Sequence, residues 1–362
     1  MSATGFRGKH LITWEDWAKQ DIELALAVAK DLKTKFATNE PHRFLQDKTL
    51  FMLMFDQSDQ ITTSISAGVG QLGAHVHQLT PEHFQLSNNM PAKDNARLLS
   101  RMVHAIGCRN PQFGIGHNYL SELAKWASIP VLSLQDDVYH PIAALADLMT
   151  IREFFGTNIG GLKVAISWVY SQTPVKPLST LQSHLLLLPR FGIDVTIAMP
   201  EEFPLNEKIV HRARNHAQLN GCKMTVTDNM DEAFNLAHVV IPVNWGVFAW
   251  FDDFVENSEH HEQMNANLEK HQDWICDMRR LNLADPYVKY MHPFPVEIGY
   301  EVTEDVINGP FQIMYDQAEN GLQTAKAMMT LTRVGREIAR SEEDTAELQS
   351  RLISSYAVCC VK

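Results

Sequence analysis

The chain has 362 residues, of which 45% are hydrophobic and 20% charged, and its formal net charge is −12. This length and composition are typical of a globular protein with two domains, and the negative charge argues against binding to nucleic acid, which requires basic surfaces. Because no apolar run reaches ~18 residues and the N-terminus lacks an apolar core, we expect neither a membrane span nor a signal peptide. Five scattered cysteines, including Cys359 and Cys360, favour a cytoplasmic protein.

Strand-like and helix-like segments alternate from the beginning of the chain. Apolar runs predict strands, and apolar residues at helical spacing predict helices. In the first half, the predicted strands are 49–55, 74–79, 105–109 and 131–134, and the predicted helices are 14–36, 61–72, 93–105, 118–127 and 142–155. In the second half, the predicted strands are 162–170, 193–200, 223–228 and 238–245, and the predicted helices are 181–191, 206–219, 253–268 and 317–339. Such alternation indicates βαβ units and mainly parallel sheets.

The segment around His140 joins the two halves. The run SIPVLSLQ predicts a buried strand, and Pro141 is tolerated in the first turn of the helix that follows. Because proline pushes the preceding residue to extended geometry, we expect His140 to lie at a strand end. In an open α/β sheet, the crevice above the strand ends binds ligands.

Two long segments carry a family resemblance. HPIAALADLMTI resembles the HPxQALADLxTI segment of the aspartate/ornithine carbamoyltransferases, and MHPFPVEIGYEVTEDVINGP, followed by DQAENGLQTAKAMMTL, is similar to their HCLP segment and C-terminal helix. The resemblance extends from about residue 11 to about residue 332. It implies an α/β fold with two domains, each with a parallel sheet flanked by helices. The implied division is a carbamoyl-phosphate-type domain at 1–150, an amino-acid-type domain at 151–316 and a tail at 341–362, with helix 317–340 packing back on the first domain.

The segment FDQSDQITTSIS resembles the loop and helix start that bind the phosphate of carbamoyl phosphate in this family. Ser58 and Thr63 match the family pattern, whereas Gln60 and Thr62 stand where it has two arginines. Two missing charge-assisted hydrogen bonds cost roughly 3–6 kcal/mol of binding free energy. Asp59 adds a negative charge, and its carboxylate could cap the helix and take the place of the anion.

Other positions of the family site are partly kept. Arg109 and His140 match the residues that contact the carbamoyl oxygen in the family, where they could stabilise a developing oxyanion. An alternative for Arg109 is a permanent ion pair within the chain, with a carboxylate such as Asp136 or Asp137 as partner. His292 is also kept. Three residues depart from the family pattern: the HPxQ glutamine, the HCLP cysteine and the arginine after AEN are replaced by Ala143, Pro293 and Gly321.

The second half resembles one subgroup of the family. SWVYSQTPVKPLSTLQ is similar to the proline-rich loop of the knotted, N-acetylornithine transcarbamylase-like members, which implies a trefoil knot in the second domain and a homotrimer. The stretch VNWG stands where ornithine enzymes bind the amino acid. We therefore predict a substrate-binding wall formed by Asn244, Trp245, His292, Pro293 and Phe294, with core packing as the alternative for Trp245.

Two further motifs do not indicate a cofactor or a metal. GVGQLG matches the dinucleotide fingerprint, but it lies at the end of a helix and not directly after a strand, so close helix packing and a cap at Gly73 explain it better. Adjacent side chains such as His260 and His261 do not converge on one point of a helix, and no zinc-type spacing occurs. We predict no metal and no cofactor.

Two functions remain open from the sequence. The first is a divergent transferase that passes a carbamoyl-type group to an amine-bearing small molecule. The second is a catalytically inactive binding or regulatory protein of the same fold. Both predict a small, amino-acid-like ligand.

Overall fold

Two parallel β-sheets form the framework of the chain. The computed structural model describes residues 5–80, 90–172, 176–247, 250 and 258–334. The first sheet has the order β2-β1-β3-β4, with β1 at Thr49–Met54, β2 at His75–Leu79, β3 at Ala105–Asn110 and β4 at Val131–Asp136. The second has the order β7-β6-β5-β8-β9, with β5 at Lys163–Trp168, β6 at Asp194–Ala198, β7 at Met224–Thr227, β8 at Val239–Val243 and β9 at Lys289–Tyr290.

Helices connect successive strands, which confirms the predicted α/β fold with two parallel sheets. Before β5 lie α1 (Lys19–Ala37), α2 (Asp59–Gln71), α3 (Ala92–Leu99), α4 (Gly116–Trp126) and α5 (Pro141–Phe155). After β5 lie α6 (Ser179–Leu187), α7 (Glu207–Leu219), α8 (Met230–Phe234), α9 (Ser258–Glu269), α10 (Met278–Leu281), α11 (Glu304–Ile307) and α12 (Met314–Val334). The short helices α8, α10 and α11 were not predicted.

Two predicted helices are wrong in part. The first is interrupted, because Trp14 and Trp17 are buried against each other and Nε1 of Trp14 donates to the carbonyl of Pro141 over 2.7 Å. Thr13 caps a 3-10 turn at Trp14–Asp16, and α1 begins only at Lys19. The helix predicted at 93–105 ends at Leu99, because the chain from Ala105 onward pairs with β1.

The C-terminal helix α12 packs against α1, α2 and α5 of the first half. Residue 150, where the sequence places the domain boundary, lies inside α5, which runs unbroken between the two sheets. The boundary stays a prediction. Residues 335–362, with Cys359 and Cys360, lie outside the described residues.

The GVGQLG segment lies at the contact of α2 with α12. A Cβ atom on Gly68 would lie 3.0 Å from Cγ of Lys326, and Gly73 has a φ of +78° just after α2. These two positions support close packing and a helix cap as the reason for the glycines.

Lys326 is fully buried beside this contact. Its Nζ donates to His42, Gln71 and Gln323 over 2.9–3.1 Å, and none of these is a carboxylate. Burial lowers the pKa of Lys326 to about 8, whereas a lysine in an unfolded chain titrates near ~10.4.

The unfolded chain therefore binds more protons between these two pH values, so the free energy of unfolding should rise with pH across that window. We expect Lys326→Met to remove this rise, measured by urea denaturation from about pH 7 to about pH 11. Lys30→Met on the exposed face of α1 is the matched control. An unchanged pH dependence in Lys326→Met would contradict the assignment.

Candidate functional site

A cavity of about 710 Å³ opens beyond the carboxyl ends of the two sheets. The strand order reverses between β1 and β3 in the first sheet and between β5 and β8 in the second. Ligands of open α/β sheets bind at such reversal points. Both points face the cavity, since its wall includes residues that follow or end β1, β3, β5 and β8: Gln57, Ser58, Arg109, Lys176 and Asn244.

Arg109 lies beside the first reversal point and is bonded within the chain. The pairing of β3 with β4 shifts between Cys108 and Arg109, so that Arg109 pairs with Gln135; such irregularities redirect a side chain. Its Nε is 2.6 Å from Oδ1 of Asp56 and its Nη2 is 2.9 Å from Oδ2, while Nη1 donates to Oε1 of Gln135. Gln135 is itself fixed, because its Nε2 donates to Oγ of Ser179 over 2.8 Å.

Arg109 forms an ion pair within the chain, as the alternative interpretation expected, but its partner is Asp56 and not Asp136 or Asp137. Asp136 accepts from the N–H of Val138 over 2.8 Å and lies 3.0 Å from Nδ1 of His117. Asp137 accepts from the N–H groups of Gly114 and His117 over 2.9 and 2.7 Å. These two carboxylates therefore organise the loop that begins α4.

His140 is the N-cap residue of α5 and lines the cavity, although its side chain makes no capping hydrogen bond. Its N–H donates to Oγ of Ser183 over 2.8 Å. Pro141 lies in the first turn of the helix, as predicted, and is its first residue. Within the described chain, the buried Nδ1 of His140 has no hydrogen-bond partner. Burial lowers the pKa of His140 to about 3, and the charges of Arg109 and His184 act in the same direction. The imidazole is therefore neutral near pH 7.

The N-terminus of α2 forms another part of the wall. Ser58 and Gln60 line the cavity, whereas Thr62 and Thr63 do not. Oγ of Ser58 accepts from the N–H of Ile61 over 3.4 Å, so Ser58 and not Asp59 caps the helix. Asp59 is exposed at the first helical position and also lines the cavity.

Asn244 and Trp245 line the second-domain side of the cavity. Nδ2 of Asn244 donates to the carbonyl of Val169 over 2.6 Å, whereas its Oδ1 is buried and has no partner among the described residues. The indole of Trp245 is fully buried and donates to the carbonyl of Phe203 over 3.0 Å. Trp245 is thus part of both the wall and the core.

His292, Pro293 and Phe294 also line the cavity, next to a charged cluster that the sequence did not predict. Nζ of Lys176 lies 2.7 Å from Glu301 and 3.1 Å from Glu297, and Nε2 of His292 lies 3.3 Å from Oε2 of Glu301. Burial by itself raises the pKa of Glu301, but His292 and Lys176 outweigh it and hold this pKa at about 2.

Lys176, Glu297 and Glu301 all lie in segments that carry the family resemblance, but none of the three is marked by a motif of its own. Among the described residues that line the cavity, the lysine and arginine side chains are Lys176 and Arg109, and each is engaged by carboxylates.

A buried pair joins the two halves behind the cavity. Nε2 of His184, on α6, lies 2.5 Å from Oδ2 of Asp147, on α5, and both side chains are 1–2% exposed. Asp147 lines the cavity, and Ser183, which accepts the bond from His140, precedes His184. The pair therefore holds α6 against α5 where His140 is positioned.

The described residues hold neither a group of side chains suited to a metal ion nor a helix able to cross a membrane. No group of three or more His, Cys, Asp and Glu side chains in this part of the chain could hold a metal ion, and the region includes His260 and His261. None of the helices described is long and apolar enough to cross a membrane.

Comparison with protein families accounts for both halves of the chain. Residues 9–153 match "Aspartate/ornithine carbamoyltransferase, carbamoyl-P binding domain", and residues 176–332 match "Aspartate/ornithine carbamoyltransferase, Asp/Orn binding domain".

Individual relatives agree with this result. The chain is 32% identical to the ornithine carbamoyltransferase of Halalkalibacterium halodurans over 91% of its own length and 96% of the relative. It is 30% identical to the putative carbamoyltransferase YgeW of Escherichia coli over 94% of each chain.

Solved structures are similar over the same region. The ornithine carbamoyltransferase of Pyrococcus furiosus has a TM-score of 0.80 at 30% identity, covering 91% of this chain and 99% of that one. An acetylornithine transcarbamylase complexed with acetylcitrulline has a TM-score of 0.78 at 27% identity, covering 90% and 99%.

Proposed function

Because the chain belongs to the aspartate/ornithine carbamoyltransferase family, we propose that its cavity binds a small amino-acid-like molecule and does not use carbamoyl phosphate at enzyme-like rates. The names of two relatives state that one acts on ornithine and that the other is complexed with acetylcitrulline. In this chain, the wall with Asn244 and Trp245 is proposed to bind the amino-acid-like molecule. Oδ1 of Asn244 is available to accept a hydrogen bond from an amine.

The observation that carries this proposal is the ion pair between Arg109 and Asp56. Arginine binds a phosphate group through charge-assisted hydrogen bonds, but the guanidinium of Arg109 is already paired with Asp56. At the start of α2, Gln60 and Asp59 face the cavity where a phosphate clamp would stand. Ala143, at the position of the family's glutamine, provides no polar contact to a carbamoyl group.

A thermal-shift screen with amino acids and N-acyl amino acids tests the proposal. A ligand stabilises by RT ln(1 + [L]/Kd), so binders near millimolar affinity register. Ala143→Phe, which places a large ring in the cavity, should abolish the shift, and Ala67→Phe on the exposed face of α2 should keep it. Equal shifts in both variants, or no amino-acid-like binder, would refute the proposal.

One observation supports a second candidate, a transferase with a donor that lacks phosphate. Arg109 and His140 remain at neighbouring strand ends, where two hydrogen-bonding groups could act on one carbonyl oxygen. To test for transfer, the protein is incubated with ligands from the screen, and the mixture is analysed by mass spectrometry. An unchanged ligand mass with every amide or urea offered would eliminate the candidate.

We also propose that the protein is a homotrimer with a knotted second domain. The resemblance of SQTPVKPLST to the loop of the knotted subgroup supports this; residues 173–175 of that loop lie outside the described residues. Light scattering coupled to size exclusion should give the mass of three chains, and a monomeric mass would refute the trimer. A crystallographic trace in which that loop threads nothing would refute the knot.

A further inference from the structure

The ion pair with Asp56 leaves Arg109 with hydrogen-bond donors but without free charge. A guanidinium has five N–H groups. Nε and Nη2 donate to the two oxygens of Asp56, and Nη1 donates to Gln135. One N–H on each Nη atom therefore remains at a residue that lines the cavity, and the bidentate carboxylate offsets the positive charge.

The neighbours of this pair add no positive charge. His140 is neutral near pH 7, because burial and the charge of Arg109 lower its pKa to about 3. Asp59 also faces this end of the cavity. A phosphate or carboxylate at Arg109 would therefore meet like charges on Asp56 and Asp59, whereas a neutral carbonyl oxygen would not.

We propose that Asp56 is the residue that determines specificity at this end of the cavity, where it makes Arg109 a donor to a neutral carbonyl group and excludes anions. The ligand class is an amide or a urea, whose carbonyl oxygen accepts the remaining N–H groups. This inference rests on the proposed function, since it names the chemistry of the ligand for the same cavity.

Replacement of Asp56 tests the inference directly. The Asp56 side chain is 41% exposed, so Asp56→Asn should fold, with water solvating the amide. Freed of its carboxylate, Arg109 should bind inorganic phosphate about tenfold to hundredfold more tightly than in the wild type. Calorimetric titration with phosphate measures this change.

Two further variants make the result specific. Asp59→Asn removes the same charge from the same end of the cavity. Among the described residues, however, Asp59 contacts no basic side chain, so this variant should gain little affinity for phosphate. Asp56→Asn/Arg109→Gln should lose the gain entirely. A gain no larger than that of Asp59→Asn, or one that survives the loss of Arg109, overturns the inference.

The matched probes L-glutamine and L-glutamate test the ligand class in the same way. The wild type should prefer the amide, and Asp56→Asn should reverse the order; a wild type that binds glutamate as tightly as glutamine overturns the inference. If the phosphate gain is seen but neither amino acid binds and the thermal-shift screen also gives no amino-acid-like binder, the role of Asp56 stands and the proposed function fails.

Discussion

His184→Leu should destabilise the protein by about 3–5 kcal/mol, because it leaves the carboxylate of Asp147 buried without its partner. Both side chains are 1–2% exposed, and they join α5 to α6 behind the cavity. A buried ion that loses its partner must be neutralised or hydrated, and either outcome reduces the free energy of unfolding. Urea denaturation of the variant and the wild type measures the difference.

Two controls separate this effect from a general loss of packing. Asp147→Leu/His184→Leu removes both partners and should recover much of the loss, since apolar replacements of a buried pair are often tolerated. His216→Leu breaks a partly exposed pair with Glu15, whose side chains are 21–24% exposed, so its effect should be within about 1 kcal/mol. A loss in His184→Leu no greater than in His216→Leu would contradict the role of the pair.

Carbamoyl phosphate should bind at least about a hundredfold more weakly than to a site with two arginines. The missing hydrogen bonds are worth roughly 3–6 kcal/mol in total. Arg109 does not replace them, because Asp56 already occupies its guanidinium. Thermal shift with freshly dissolved carbamoyl phosphate reports the affinity.

A single restored arginine checks this reasoning. Gln60 lines the cavity, so Gln60→Arg should tighten carbamoyl phosphate about tenfold or more. Thr63 is exposed on α2 and does not line the cavity, so Thr63→Arg is the matched control. Equal affinities in the two variants would show that charge at the start of α2 does not limit binding.

The fold was predictable because apolar runs and helical spacing have local causes. Strands β1 to β8 fall within a few residues of the expected positions, whereas the two-residue β9 was not predicted. Pro141 lies in the first turn of α5 as expected, and His140, which was expected at the end of a strand, is the N-cap residue of that helix. The first helix was misjudged because long-range packing of Trp14 and Trp17 overrides local helix propensity.

The contacts of the site were less predictable, since they join residues far apart in the chain. Asp56 and Arg109 are 53 positions apart, and Lys176 and Glu301 are 125 apart. The family resemblance indicated that Arg109 would reach the crevice, but its partner Asp56 follows the neighbouring strand β1, and local sequence does not identify that contact. Thr62 and Thr63 were placed at the site through the family pattern, whereas the turn of α2 directs them away from the cavity wall.

Steady-state turnover with carbamoyl phosphate tests the central claim most directly. Purified wild-type protein is supplied with carbamoyl phosphate and either ornithine or aspartate, and phosphate release and carbamoylated product are measured together. The arrangement of Asp56, Arg109 and Gln60 predicts rates at background, far below the ~1–1,000 per second of typical enzymes. Robust formation of citrulline or carbamoylaspartate would contradict it.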